Sequence, residues 1–118
     1  MKALFLSAIT TATFLSVAPW ASAAYMMDGN ALYSECSVPI GNEEFTACLG
    51  YLDGIADAMA VNPVNGFSAC IPAGVENNQL RDVVTKFLWT KAAYRQYPAA
   101  GLVAAAFAGS FPCQPISK

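Results

Sequence analysis

Histidine is absent from the 118-residue sequence, and charged side chains make up only 12% of it. Without histidine, the chain lacks the usual general base of serine and cysteine hydrolases and the commonest ligand of zinc. Its six Lys and Arg residues are outnumbered by eight Asp and Glu residues, and they form no basic cluster of the kind that binds nucleic-acid phosphates. We therefore expect no metal, no cofactor and no nucleic-acid partner.

The sequence also lacks an apolar run of the roughly 18 or more residues that a membrane-spanning helix requires. Residues 1–23 have instead the pattern of an export signal, with a positive charge at Lys2, an apolar stretch broken by threonine and serine, and the small residues Ala21-Ser22-Ala23. We predict cleavage after Ala23, no membrane insertion of the cleaved protein, and a single domain formed by residues 24–118.

Four cysteines, Cys36, Cys48, Cys70 and Cys113, all follow the predicted cleavage site. An even number of cysteines in a small exported chain is typical of disulfides formed in an oxidising compartment. Their spacing contains no C-x-x-C pair, which argues against a metal site. Of the three possible connectivities we favour Cys36 with Cys48 and Cys70 with Cys113, because each pair would tie the end of one helical segment to a neighbouring segment.

Apolar residues recur at intervals of three and four through most of the remaining sequence, the spacing typical of helices that bury one face. No strand pattern, repeat or second domain is evident. We predict an all-α fold, a small bundle of about four helices held by two disulfides. The first helix follows the start signal Asp28-Gly29-Asn30, the second is capped by Asn42 and ends at Asn62-Pro63, the third runs from about Asn77 to Thr90, and the fourth, from Ala99 to Ser110, has Pro98 at its start.

Two of these helices have compositions that need an explanation. The fourth is built almost wholly of small and apolar residues, so it is either central to the bundle or packed against a second copy of the chain. In the second, Gly50 and Gly54 each cost about 1 kcal/mol of helix stability relative to alanine, which indicates either the close approach of another helix or a groove that admits a partner. Asp53 and Asp57 form either a solvated face or a carboxylate pair able to act on a sugar.

The long connection from Asn62 to Gly74 is the first candidate for a contact surface, because loops of this length tend to be functional. A second candidate is the segment between the third and fourth helices, where Trp89, Tyr94 and Tyr97 either pack in the core or form an exposed binding patch. The residues that we predict to contact a protein partner are Asn62, Val64, Asn65, Phe67, Trp89, Tyr94, Arg95 and Tyr97.

The segment Cys48-Leu49-Gly50-Tyr51-Leu52-Asp53-Gly54 resembles the C-x-G-Y-x-x-G signature of the Rap/Tai immunity proteins, and further matches extend the resemblance from about Leu32 to Cys113. The chain is similar to that family at Cys70-Ile71-Pro72, at Gln79-Leu80 and at Phe111-Pro112-Cys113. It departs at Glu76, where the family commonly has a threonine, and we expect a weaker cap on the third helix there. The motif residues to which the resemblance gives a structural role are Gly50, Tyr51, Gly54, Pro72, Gln79 and Pro112.

The resemblance implies a small helical periplasmic protein with intramolecular disulfides, often dimeric, and without catalytic activity of its own. Members of this family bind and block peptidoglycan-cleaving amidase effectors that type VI secretion systems deliver. The expected partner is therefore a cognate amidase effector, with a homodimer as a further arrangement. The alternatives are a small periplasmic stress or chaperone-like protein with no dedicated effector, and a carboxylate enzyme that acts on wall sugars.

Overall fold

The protein, described at residue 12 and residues 27–113 by a computed structural model, folds into four α-helices over that part of the chain. Within the same residues, extended pairing is limited to two isolated bridges, Asp28 with Pro98 and Val64 with Phe67. The predicted all-α fold of about four helices is therefore confirmed. The elements are α1 (Gly29–Cys36), α2 (Glu43–Val61), α3 (Asn77–Thr90) and α4 (Ala99–Ser110), with a short 3-10 turn, Ala92–Tyr94, between α3 and α4.

The starts of α1 and α2 are stabilised in different ways. Asp28 caps α1 as predicted, because its carboxylate accepts a hydrogen bond from the Ala31 N–H at 2.8 Å. Asn42 occupies the corresponding position before α2, but its side chain makes no capping hydrogen bond, so the predicted side-chain cap is wrong. Glu43 and Glu44 instead place two carboxylates in the first turn, where they interact favourably with the positive end of the helix dipole.

The start of α3 is capped by two side chains that act together. Gln79 Oε1 accepts a hydrogen bond from the Glu76 N–H at 2.8 Å, and the two residues form a capping box. This arrangement satisfies backbone donors that the first turn of a helix leaves free. The cap at Glu76 thus relies on Gln79, whose side chain reaches back to the residue that replaces threonine.

Pro98 lies just before α4 and is not its first helical residue. Its ψ of 133° is extended, and the helix begins at Ala99. The Ala99 N–H donates to the Met27 carbonyl at 3.0 Å, so the segment that precedes α1 supplies the partner of this N–H group. The predicted range Ala99 to Ser110 is confirmed, whereas the placement of Pro98 as the first helical residue is corrected.

The helix with the largest buried fraction is α4. Six of its 12 residues are buried within a single copy of the chain, against four of the 19 residues of α2 and three of the 14 residues of α3. The small and apolar composition of α4 is therefore explained by a central position, one of the two alternatives left open by the sequence. The largest fully buried side chains of the core are Phe107, Leu32, Leu52, Leu88, Val84 and Val103.

Both predicted disulfides are present. Cys36 at the end of α1 is bonded to Cys48 in α2, and both residues are wholly buried. Cys70 in the connection between α2 and α3 is bonded to Cys113 beyond α4, and both of these residues are exposed. The favoured connectivity is confirmed, and the two bonds lie in contrasting environments.

Several predictions concern residues that lie outside the described part of the chain. The predicted signal peptide, residues 1–23, lies outside the described residues, apart from residue 12. The predicted cleavage site after Ala23 also lies outside them. The ends of the predicted mature domain, residues 24–26 and 114–118, also fall there. Across the part of the chain that the structure describes, no helix combines the length and apolar character needed to cross a membrane.

Candidate functional site

The connection between α2 and α3 contains a tight hairpin turn at Val64-Asn65-Gly66-Phe67. The Val64 and Phe67 backbones exchange two hydrogen bonds, of 3.0 and 2.9 Å, and the two central residues have positive φ angles of 51° and 81°. This is the geometry of a type I′ turn, for which Asn-Gly is the preferred sequence. The loop was predicted and the turn was not, although the Asn-Gly pair is a sequence signal for this turn.

The Asn65 side chain lies against α4 at Gly101. A Cβ atom added to Gly101 would stand 2.7 Å from Asn65 Nδ2, so glycine at this position leaves the space that the Asn65 amide occupies. A cleft of about 370 Å³ lies beside this contact, lined by Val64, Asn65, Tyr97 and the first turn of α4. We call it the turn cleft. It brings together three of the residues predicted to contact a partner, which come from two separate segments.

Three aromatic side chains around the α3–α4 connection are exposed to solvent. Trp89 is 68% exposed, Tyr94 52% and Tyr97 49%. The rings of the two tyrosines lie 6.0 Å apart between centroids, in a tilted arrangement. Of the two alternatives, core packing is wrong for these residues, and an exposed aromatic surface remains. Phe67 in the hairpin turn is also exposed, at 39%.

Arg95 differs from its aromatic neighbours because it is tied into the fold. Its Nε donates to the Leu88 carbonyl at 2.7 Å, and its guanidinium lies 4.1 Å from the centre of the Tyr33 ring. These contacts join the connection to the last turns of α3 and to α1. Arg95 therefore orders the segment that carries Tyr94 and Tyr97, and a direct contact of Arg95 with a partner stays a prediction.

Gly29 is a close-packed position that was not predicted. Its N–H donates to the Tyr97 carbonyl at 3.0 Å, while the Asn30 N–H donates to the Arg95 carbonyl at 2.9 Å. A Cβ on Gly29 would lie 2.8 Å from both the Cα and the carbonyl oxygen of Arg95 and 2.5 Å from a Leu102 methyl group. The first turn of α1 thus fixes the position of the tyrosine segment, which local sequence could not reveal.

The glycines of the family-like motif face open space. A Cβ on Gly50 or Gly54 would meet no other atom within 4 Å, so close packing of another helix of this chain does not explain them. Tyr51 between them is partly buried, and this burial raises the pKa of its phenol. The remaining alternative, a surface open to a partner, is consistent with the geometry of the outer face of α2.

Other motif residues hold the polypeptide around the helices. The Pro72 carbonyl accepts a hydrogen bond from the Val75 N–H at 3.1 Å and so turns the loop toward α3. Pro112 is exposed beside Cys113. The Cys70 N–H donates to the Phe111 carbonyl at 2.8 Å, which fastens the loop to the end of α4 next to the disulfide.

A larger groove lies between the end of α2 and the loop, on surfaces separate from the turn cleft. It has a volume of about 750 Å³ and is lined by residues between 56 and 63, by residues 68–72 and by Cys113. We call it the α2–loop groove. It includes Asn62, another predicted contact residue of the loop, and Asp57. Asp53, one turn earlier on α2, does not line it.

Among the described residues, no group of three or more potential ligands is placed to hold a metal ion. The structure presents three surfaces: the exposed aromatic side chains, the turn cleft and the α2–loop groove. Helices or a disulfide hold each of them in place. Such surfaces are suited to binding a macromolecule.

Comparison with known proteins agrees with this description. The model of the family described as Rap1a immunity proteins matches residues 28–113, which include all four helices and both disulfides. Among curated proteins and among solved structures, none matches the chain. Because the matched segment covers most of its length, the chain belongs to the Rap1a immunity protein family.

Proposed function

We propose that this protein binds and blocks a peptidoglycan amidase effector of a type VI secretion system, and that it thereby protects the cell that makes it. The observation that carries the proposal is membership of the immunity family across residues 28–113. The protein acts by occupying its partner and not by catalysis. Its site of action is the periplasm, where the effector meets the cell wall; the predicted export signal and the two disulfides support that location.

The surface around the turn cleft is the proposed contact region. Asn65 rests on α4, Tyr97 is fixed through its carbonyl to α1, and the loop is bonded to the end of α4. A contact surface that is ordered before binding loses less conformational entropy when the partner arrives. Exposed tyrosine and tryptophan side chains supply large apolar area with few rotatable bonds, and they are enriched among residues that dominate binding energy.

A homodimer is a further part of the proposal. A groove of about 450 Å³ runs between α3 and α4, with Val83 and Phe87 in its wall and with Asp82 and Lys86 on the same helix. Asp82 and Lys86 are one turn apart, so a twofold antiparallel arrangement of two α3 helices would place each carboxylate near the partner's lysine. Sedimentation at several concentrations would test this arrangement, and a monomer at every concentration would contradict it.

The test of the proposed function is inhibition of a wall amidase encoded by the same organism. Protein recovered from the periplasm is mixed with the amidase, and cleavage of peptidoglycan is followed. We expect Tyr94→Ala and Tyr97→Ala each to weaken inhibition at least about tenfold, as residues at the centre of an interface do. Thermal stability should fall only slightly, because about half of each side chain is already exposed to solvent.

The matched control is Ile40→Ala, which removes another exposed apolar side chain, 76% exposed, from the α1–α2 connection. It should leave inhibition intact. A parallel loss of inhibition and stability in the tyrosine variants would mean that these side chains support the core. Protection of many unrelated proteins, with no amidase inhibited, would favour the stress-protein alternative.

A further inference from the structure

The α2–loop groove has a mainly apolar lining, with the polar residues Asn62 and Ser68 and one ionisable side chain among its described residues. Val61, 78% exposed, and Ile71 contribute aliphatic surface, and Pro63 contributes a rigid wall. The disulfide Cys70–Cys113 forms part of the opposite wall and holds it in place covalently. Asp57 is the ionisable group.

Two separate sources of negative potential meet in this groove. The first is the carboxylate of Asp57. The second is the end of α2 at Val61, where the last carbonyl groups of the helix give the negative end of its dipole. A carboxylate near this end of a helix is unfavourable, and a cation there is favourable. The last turn of α2 contains no basic residue, so α2 itself supplies no compensating charge.

Both arginines of the described chain are engaged elsewhere. Arg81 forms an ion pair with Asp82 at 3.1 Å and lies 5.3 Å from the centre of the Phe45 ring. Arg95 bonds to the Leu88 carbonyl and covers the Tyr33 ring. Among the described residues that line the groove, none is Lys or Arg, so Lys86 and Lys91 also lie outside it. The carboxylate of Asp57 therefore has no cationic neighbour in this lining, and a cation from another molecule can occupy that place.

We propose that the α2–loop groove binds an extended segment of a protein partner that carries a lysine or arginine between apolar residues. The cation lies at Asp57 and the last carbonyls of α2, and the apolar neighbours pack on Val61, Pro63 and Ile71. This is a second contact surface, separate from the turn cleft. It relies on the proposed function only for the identity of the partner, and its test uses no effector, so the two proposals can fail separately.

The test is a titration of isotope-labelled protein, recovered from the periplasm, with synthetic peptides followed by NMR. The peptides are eight residues long, composed of Ala, Leu, Val and Pro with one central Lys or Arg, and a matched set has Gln at that position. We expect the basic peptides to shift amide signals of residues 56–63 and 68–72, and affinity to fall as salt rises. Asp57→Asn should weaken binding about tenfold, the effect expected when a hydrogen bond to a charged group is lost.

Asp53→Asn is the matched control, since it removes the same charge from the same helix one turn away from the groove. It should leave peptide affinity unchanged. Equal binding of the Gln peptides, equal loss in the two variants, or no shifts at millimolar peptide would overturn the proposal. Signals of the groove that shift with protein concentration alone would show a second copy as its occupant, and would also overturn it.

Discussion

The two disulfides hold two regions that differ in almost every physical respect. Cys36–Cys48 joins α1 to α2 inside the core, where both residues are 0% exposed. Cys70–Cys113 joins the connection between α2 and α3 to the segment after α4, and both residues are exposed. The first bond links helices that already bury apolar surface together. The second links irregular backbone that buries little.

The loop between α2 and α3 is held in place mainly by a covalent bond and by local hydrogen bonds, whereas the helices are held by buried apolar contacts. Between Asn62 and Gly74 the single residue classed as buried is Ala69. The loop is held instead by the disulfide, by the Asn65-Gly66 turn and by the Cys70–Phe111 hydrogen bond. A disulfide therefore acts as part of the core in one region and sets the shape of an exposed loop, the proposed binding surface, in the other.

Removing each disulfide is the strongest way to sharpen this contrast. Loop entropy alone predicts about 3 kcal/mol for the Cys36–Cys48 separation of 12 and about 4 kcal/mol for the Cys70–Cys113 separation of 43. The burial of Cys36 and Cys48 reverses the order of these two expected losses of stability. Replacing both buried cysteines by alanine also removes packed sulfur, at about 1 kcal/mol each, so we expect a loss of about 4–5 kcal/mol in chemical denaturation.

For Cys70→Ser with Cys113→Ser we expect a loss of about 2–3 kcal/mol, less than the loop-entropy model gives. The freed loop gains disorder in the folded state, which offsets part of the entropy gained by the unfolded chain. Mild reduction followed by peptide mass mapping should also open Cys70–Cys113 first, because its sulfurs are accessible to a thiolate. A greater loss of stability for the exposed pair would show that loop length outweighs burial here.

Gly29→Ala tests how tightly the α1 region is packed. The added methyl group would lie 2.8 Å from backbone atoms of Arg95, which cannot rotate away as a side chain can. We expect a loss of about 2–3 kcal/mol, typical of overpacking. The control is Gly50→Ala, also helical but facing open space, which should gain up to about 1 kcal/mol through helix propensity. Similar values for the two variants would contradict the close contact at Gly29.

Gly66→Ala tests how closely the loop is packed, and we expect a smaller loss of stability than for Gly29→Ala. No atom lies within 4 Å of an added Cβ, so the cost comes from the positive φ of 81° alone. We expect a loss of about 1 kcal/mol. Gly66→Asn should lose less, because asparagine adopts this conformation more readily. A loss as large as that of Gly29→Ala would mean that the loop is packed as closely as the helices.

The helices could be predicted because their signals are local, and the disulfide pairing could be predicted from the positions of the cysteines relative to those helices. Asp28 and Pro98 flank apolar patterns that repeat every three or four residues, and the observed limits of α3 and α4 coincide with the predicted ones. The Asn42 cap failed because composition identifies a residue able to cap but does not fix its side-chain rotamer. The part that Gln79 plays in the cap of α3 was not predicted, because it depends on a side chain outside the N-cap position.

The arrangement of the candidate surfaces was less predictable. Whether Trp89 and Tyr97 are buried depends on the angle at which their segment meets the bundle, which no local pattern encodes. The roles of Gly29 and Gly101 come from contacts with residues distant in sequence. The loop and the aromatic segment, both predicted as contact regions, are the two segments that form the turn cleft. That Arg95 is held within the fold could not be predicted.

The hydrogen bonds at the start of α1 couple its formation to a distant part of the chain. The N–H groups of Gly29 and Asn30 bond to the carbonyls of Tyr97 and Arg95, which lie beyond α3. A helix of 8 residues is too short to be stable alone in water. The first turn of α1 and the segment before α4 therefore stabilise each other, and a change that loosens one of them should loosen the other.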